Sequence, residues 1–132
     1  MAFLAAYVAC FVAFVGLDMI WLGVMVERLY RPALGDMLAT TVNLPEAIAF
    51  YLIFPIGLTI FAVLPAVQVK AMGQAALYGG LFGFFAYVTY DLTNQATMRI
   101  WSAQLTLIDI AWGFALGGFA ATIGYVAASR VS

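Results

Sequence analysis

The chain has 132 residues, 67% of them hydrophobic and 8% charged, with six acids against five bases and no histidine. A water-soluble domain carries roughly a quarter charged residues, and one of this length could not hide so much apolar surface, so the composition excludes a soluble fold and calls for a membrane one. The near-zero net charge argues against nucleic acid as a partner, and the missing histidine removes Ser-His and Cys-His nucleophile pairs, His-ligated haem and the usual zinc sites.

Four long apolar runs divide the sequence. The first predicted span covers residues 3–25, about the 20 residues a bilayer requires. It lacks the positive lead-in of a secretory signal and reads as a retained helix. Cys10 is the only cysteine, so no intrachain disulfide forms, and it reads as a small packed residue. Asp18 is the interior acid of this span, with Trp21 one turn on.

The only long connection follows. In residues 26–38, Leu29, Ala33, Leu34, Met37 and Leu38 recur near helical spacing, which predicts a short helix lying in the membrane interface, although Pro32 and Gly35 are breakers. Asn43-Leu44-Pro45-Glu46 has the form of a helix start, with Asn43 as the cap. The second span, 46–67, contains Tyr51 and is interrupted by Pro55, where a kink is expected.

The third span, 74–97, carries Tyr87-Val88-Thr89-Tyr90-Asp91-Leu92-Thr93-Asn94. Residues three and four apart share a helix face, so Tyr87, Tyr90, Asp91 and Asn94 form one polar stripe, continued by Gly80 and Gly83. In lipid such a stripe must face protein or trapped water. The fourth span, 103–128, opens with Gln104 and Asp109. It then places Gly113, Gly117, Ala121 and Gly124 at near four-residue spacing, a ridge that lets another helix approach closely.

The predicted fold is therefore all-α: a single transmembrane domain over residues 1–132, an up-down-up-down four-helix bundle with a short interfacial helix between spans one and two. Asp18 lies seven residues before the end of its span, Asp91 six before the end of its own, and Asp109 six after the start of the last. At 1.5 Å per residue all three are about 9–10 Å deep from one side, with Tyr51 at a similar level. An acid near a helix centre costs roughly 2.5–3.5 kcal/mol on insertion scales. Inward positions are thus favoured, with Tyr51, Tyr87, Tyr90, Asn94, Gln95 or Gln104 as hydrogen-bond partners. With no Lys or Arg at their level, the three are expected to share a proton or a cation.

Alternatives stay open for these residues. Asp18 with Trp21 and Asp109 with Trp112 each place an acid three residues before a tryptophan, as an architectural clip would. Trp21, Trp101 and Trp112 also read as interfacial anchors. Arg28, Arg31 and Arg99 on one side against Lys70 and Arg130 on the other leave the orientation undetermined.

Gly16-Leu17-Asp18-Met19-Ile20-Trp21-Leu22-Gly23, Tyr87 through Thr97, and Asp109-Ile110-Ala111-Trp112-Gly113 resemble segments of the bacterial predicted membrane proteins grouped as domain of unknown function 2177. The resemblance covers nearly the whole chain, and Tyr90-Asp91-Leu92-Thr93-Asn94 is its most specific part. It implies four spans and a bacterial inner (cytoplasmic) membrane location, and no activity.

Three functions follow as expectations. The first is a small binding or transport unit for a proton, a cation or a small or lipid-like solute. Its candidate site residues are Asp18, Asp91, Asp109, Asn94, Tyr51, Tyr87, Tyr90, Trp21, Trp112 and Gln104. Four helices rarely enclose a pathway alone, so this reading predicts a homodimer, with the fourth-span ridge, whose default meaning is helix packing, as a candidate contact. The second is a membrane enzyme on a lipid-like substrate, with Asp18, Asp91 and Asp109 as acid/base groups or ligands of a hard divalent ion. The missing histidine and phosphate-cradling loop disfavour it. The third is an accessory subunit of a larger membrane complex. No cofactor is expected, and the bilayer itself is the one certain partner.

Overall fold

The computed structural model describes residues 1–132, in four long helices and no strand. Helix α1 runs over Ala2–Met25, α2 over Leu44–Leu58, α3 over Met72–Thr97 and α4 over Ala103–Ser129. Two of these run on beyond a widened turn. A π turn at Val26–Tyr30 leads α1 into Arg31–Leu34, and one at Thr59–Val63 leads α2 into Leu64–Gln68. Three helical stretches, Ala2–Met37, Leu44–Gln68 and Ala103–Ser129, are long and apolar enough to cross a membrane. The remaining long helix, α3, has 26 residues and so the same reach, about 39 Å at 1.5 Å per residue. Its polar stripe makes it less apolar than the others.

Consecutive helices are antiparallel. Along α3 and α4, Gly79 meets Ala121 and Gly117, and Gly83 meets Gly113. Cys10 of α1 reaches Gly124 of α4, while Trp112, farther up α4, reaches Asp18, farther along α1. Phe14 stacks on Phe54 of α2 at 4.7 Å between ring centroids, and Gly57 of α2 lies under the Phe82 ring of α3. The bundle is therefore up-down-up-down, with both ends of the chain on one side. Its centre is formed by Cys10, Phe14, Leu58 and Leu116, all fully or almost fully buried.

Close approach of α3 and α4 rests on glycine. A Cβ at Gly83 would lie 2.1 Å from the Gly113 carbonyl oxygen, and one at Gly117 would lie 2.2 Å from that of Gly79. Any side chain there would force the two backbones apart. The ridge of Gly113, Gly117, Ala121 and Gly124 is thus consumed within the chain, against α3 and, at Gly124, against Cys10 and Val63. It is not available as the contact between two copies that the sequence suggested.

Three local expectations are also revised. Residues 26–37 do not form a separate helix; they continue α1 through the π turn. The chain stays helical through Pro55, and the irregularity comes one turn later, at Thr59–Val63. Asn43 occupies the cap position of α2 without a side-chain hydrogen bond, whereas Ser102 caps α4 by accepting from the Leu105 amide at 3.0 Å. Both π turns end two residues before a proline, Tyr30 before Pro32 and Val63 before Pro65. A proline ring presses on the carbonyl four residues back, here Arg28 and Phe61, and both of those lie inside the widened turns. Widening relieves that clash while keeping the helix continuous.

Candidate functional site

The polar residues gather at the end of the bundle opposite the chain termini. Asp18 of α1 is 7% exposed and accepts from two neighbours. The Tyr51 hydroxyl of α2 donates to Oδ2 at 2.5 Å, and the Trp112 indole of α4 donates to Oδ1 at 3.1 Å. Asp109 of α4 is 6% exposed and accepts from the Tyr30 hydroxyl at 2.5 Å. Tyr30 in turn accepts from the Trp21 indole at 2.9 Å. The two indoles stack face to face, 4.3 Å apart and 6° from parallel.

Each tryptophan therefore serves the acid of the other helix. Trp112, three residues after Asp109, binds Asp18; Trp21, three residues after Asp18, reaches Asp109 through Tyr30. The architectural clip takes the form of a crossed pair between α1 and α4. Neither Trp21 nor Trp112 is a simple interfacial anchor. Trp101 donates instead to Thr106 at 2.9 Å and packs edge-on against Tyr90.

Between these groups lies a cavity of about 360 Å³, lined by Asp18, Tyr30, Tyr87, Tyr90, Asp109 and Trp112, with Leu22, Phe50 and Ala86 completing its wall. Tyr90 is 58% exposed and Phe50 41%, so the cavity opens toward the outside of the bundle where α2 and α3 border it. Tyr87 is held in place because its ring lies directly over Gly113, where a Cβ would come within 2.3 Å of it.

Asp91 lies behind Asp109, away from the cavity. It is fully buried, does not line the cavity, and neither of its carboxylate oxygens has a hydrogen-bond donor. Its side chain adjoins that of Asp109. Asn94 is half-buried beside Tyr90, at the edge of the group. Gln104 is exposed and takes no part in the cavity. No set of three or more acidic, cysteine or histidine side chains closes into a metal-holding group, so Asp18, Asp91 and Asp109 do not form the ligand set envisaged for a divalent ion.

All five basic residues are exposed, and the one ion pair of the chain, Arg31 with Glu27 at 2.9 Å, lies on the surface. The cavity thus presents carboxylate and aromatic surface with no built-in positive charge. Chemically, that combination attracts a cation: carboxylates supply charge, and aromatic faces supply their negative quadrupole.

Tyr30 is the hydrogen-bonding site residue that the sequence reading missed, along with the apolar wall residues Leu22, Phe50 and Ala86. Residues 26–38 read as a short interfacial helix beyond a span ending at Met25, which leaves Tyr30 outside the expected site. Pro32 itself was the available signal, because a widened turn before it carries the helix on and aims Tyr30 at Asp109.

The family of predicted membrane proteins (DUF2177) matches this chain over residues 3–126. No curated protein and no solved structure matches it.

Proposed function

The chain belongs to the DUF2177 family of predicted membrane proteins, and on that premise we propose that it binds and passes a small cationic solute at its carboxylate-and-aromatic cavity. One observation carries this reading: Asp18 and Asp109 face a cavity of about 360 Å³ with no Lys or Arg to neutralise them. That volume falls at the small end of the range for organic ligands, above what a bare ion needs. Both acids are oriented by phenol and indole donors, which leaves their remaining lone pairs for an occupant. The mouth beside Tyr90 and Phe50 supports entry from the membrane or its interface, which suits an amphiphile carrying an ammonium group.

Titration of purified protein in lipid nanodiscs with tetraethylammonium, read by tryptophan emission, tests the reading. Trp112 lines the cavity, so occupancy is expected to change its fluorescence. Asp18→Asn and Asp109→Asn are each expected to weaken binding at least tenfold, about 1.4 kcal/mol. Unchanged binding in both variants would overturn the proposal.

The crossed Trp–Tyr–Asp contacts also support a second reading, in which the acids hold helices together within a larger complex. That reading expects the same two substitutions to lower stability while no cation binds.

A further inference from the structure

Of the buried side-chain polar atoms, only the two carboxylate oxygens of Asp91 lack a hydrogen-bond partner. A buried acid left in that state is costly, because desolvation penalises its charge and nothing returns the lost hydrogen bonds. The group beside it is a second carboxyl, Asp109, which already accepts from Tyr30. The other titratable groups facing the pair are all acids or phenols: Tyr87 and Tyr90 on α3, Tyr30 in the π turn that continues α1, Asp18 across the cavity, and Tyr51 of α2 bound to Asp18. No base faces them, since every Lys and Arg is exposed. Asp91 does not reach the cavity wall, so solvent there does not serve it either.

One arrangement relieves this conflict where the two carboxyls face each other and partners one of the two Asp91 oxygens. A single proton placed between the two carboxyls removes one negative charge, gives Asp91 a donor, and converts repulsion into a short charge-assisted hydrogen bond. We propose that Asp91 and Asp109 form a buried acid–carboxylate pair holding one exchangeable proton, with Asp109 as its outlet to the cavity. The two acids then have different tasks. Asp91 stores the proton out of reach of solvent, and Asp109 connects that store to the cavity it lines. On release, the proton passes from an Asp91 oxygen to an Asp109 oxygen and then to a water or base in the cavity. The pair is left doubly ionised, and the net charge of the protein falls by one.

The experiment is infrared spectroscopy of the protein in nanodiscs at neutral pH, where a protonated carboxylic acid absorbs apart from carboxylates. The expected result is a protonated-carboxyl band in the wild type that moves to lower frequency in D₂O. It is expected to be lost in Asp91→Asn and retained in Asp18→Asn. The absence of the band in the wild type, its survival in Asp91→Asn, or its failure to move in D₂O would each overturn the proposal. The wild-type spectra decide the first and third points, so a variant that folds poorly offers no escape. No solute is added, so a failure of cation binding is a separate result from a failure here.

Discussion

Tyr30 is the residue on which the site's geometry turns. It links the Trp21 indole to the Asp109 carboxylate, and through the stacked indoles it joins the α1 and α4 halves of the network. Removing its hydroxyl strips Asp109 of its donor and leaves the Trp21 N–H without an acceptor. Hydrogen bonds to charged groups contribute about 1.5–3 kcal/mol, so Tyr30→Phe is expected to lower unfolding stability by that amount. Denaturant titration in detergent, followed by helical circular dichroism, measures it. A variant as stable as wild type would show that Tyr30 is not a working member of the network. The sequence puts Asp18, Asp109 and Tyr51 at one depth and Tyr87 and Tyr90 on one stripe, and reads Trp112 as an interfacial anchor as well as a clip. Tyr30 falls outside these groups, because its position depends on how a helix passes a proline.

At the scale of elements, the contact between α3 and α4 fixes where Asp91 and Asp109 meet. Gly79 and Gly83 lie against Gly113 and Gly117 closely enough that no Cβ fits, and the same helix faces continue upward to the two acids. Gly117→Val is therefore expected to destabilise the bundle by about 3 kcal/mol or more, since both backbones must shift to admit the side chain. Gly16 is a useful contrast, because nothing lies within 4 Å of a Cβ there. Gly16→Ala is expected to be neutral or to stabilise by up to about 1 kcal/mol through helix propensity. Thermal unfolding of the two variants side by side distinguishes a tight helix contact from a general intolerance of substitution. The glycine spacing was visible in the sequence, but its partner was not. A small-residue ridge records that something comes close, and only the packed structure identifies that something as α3 rather than a second copy.

For the whole molecule, antiparallel packing of successive helices puts the carboxylate cavity at one end and the chain termini at the other. Cysteines placed at Ser132 and Ala2, in a background where Cys10 is replaced by Ala, are expected to react with a membrane-impermeant thiol reagent from the same side. A cysteine at Ile100, in the exposed turn between α3 and α4, is expected to react from the opposite side. Labelling of Ala2 and Ser132 from opposite faces would contradict the four-helix topology. That topology also explains how a helix as polar as α3 is tolerated. Its acid, Asp91, is buried against α4, while Thr89, Thr93 and Thr97, on exposed positions, return their hydroxyls to carbonyls of their own helix. An outward threonine satisfied in this way exposes little unpaired polarity to lipid.

Membrane class and an all-helical bundle followed from composition and from apolar runs of bilayer length. These are properties of each segment taken alone. The crossing of the tryptophan partners, the entry of Tyr30, the exclusion of Gln104 and the isolation of Asp91 behind Asp109 are relations between segments. They depend on rotation about each helix axis, which side-chain packing sets and which one-dimensional spacing leaves free.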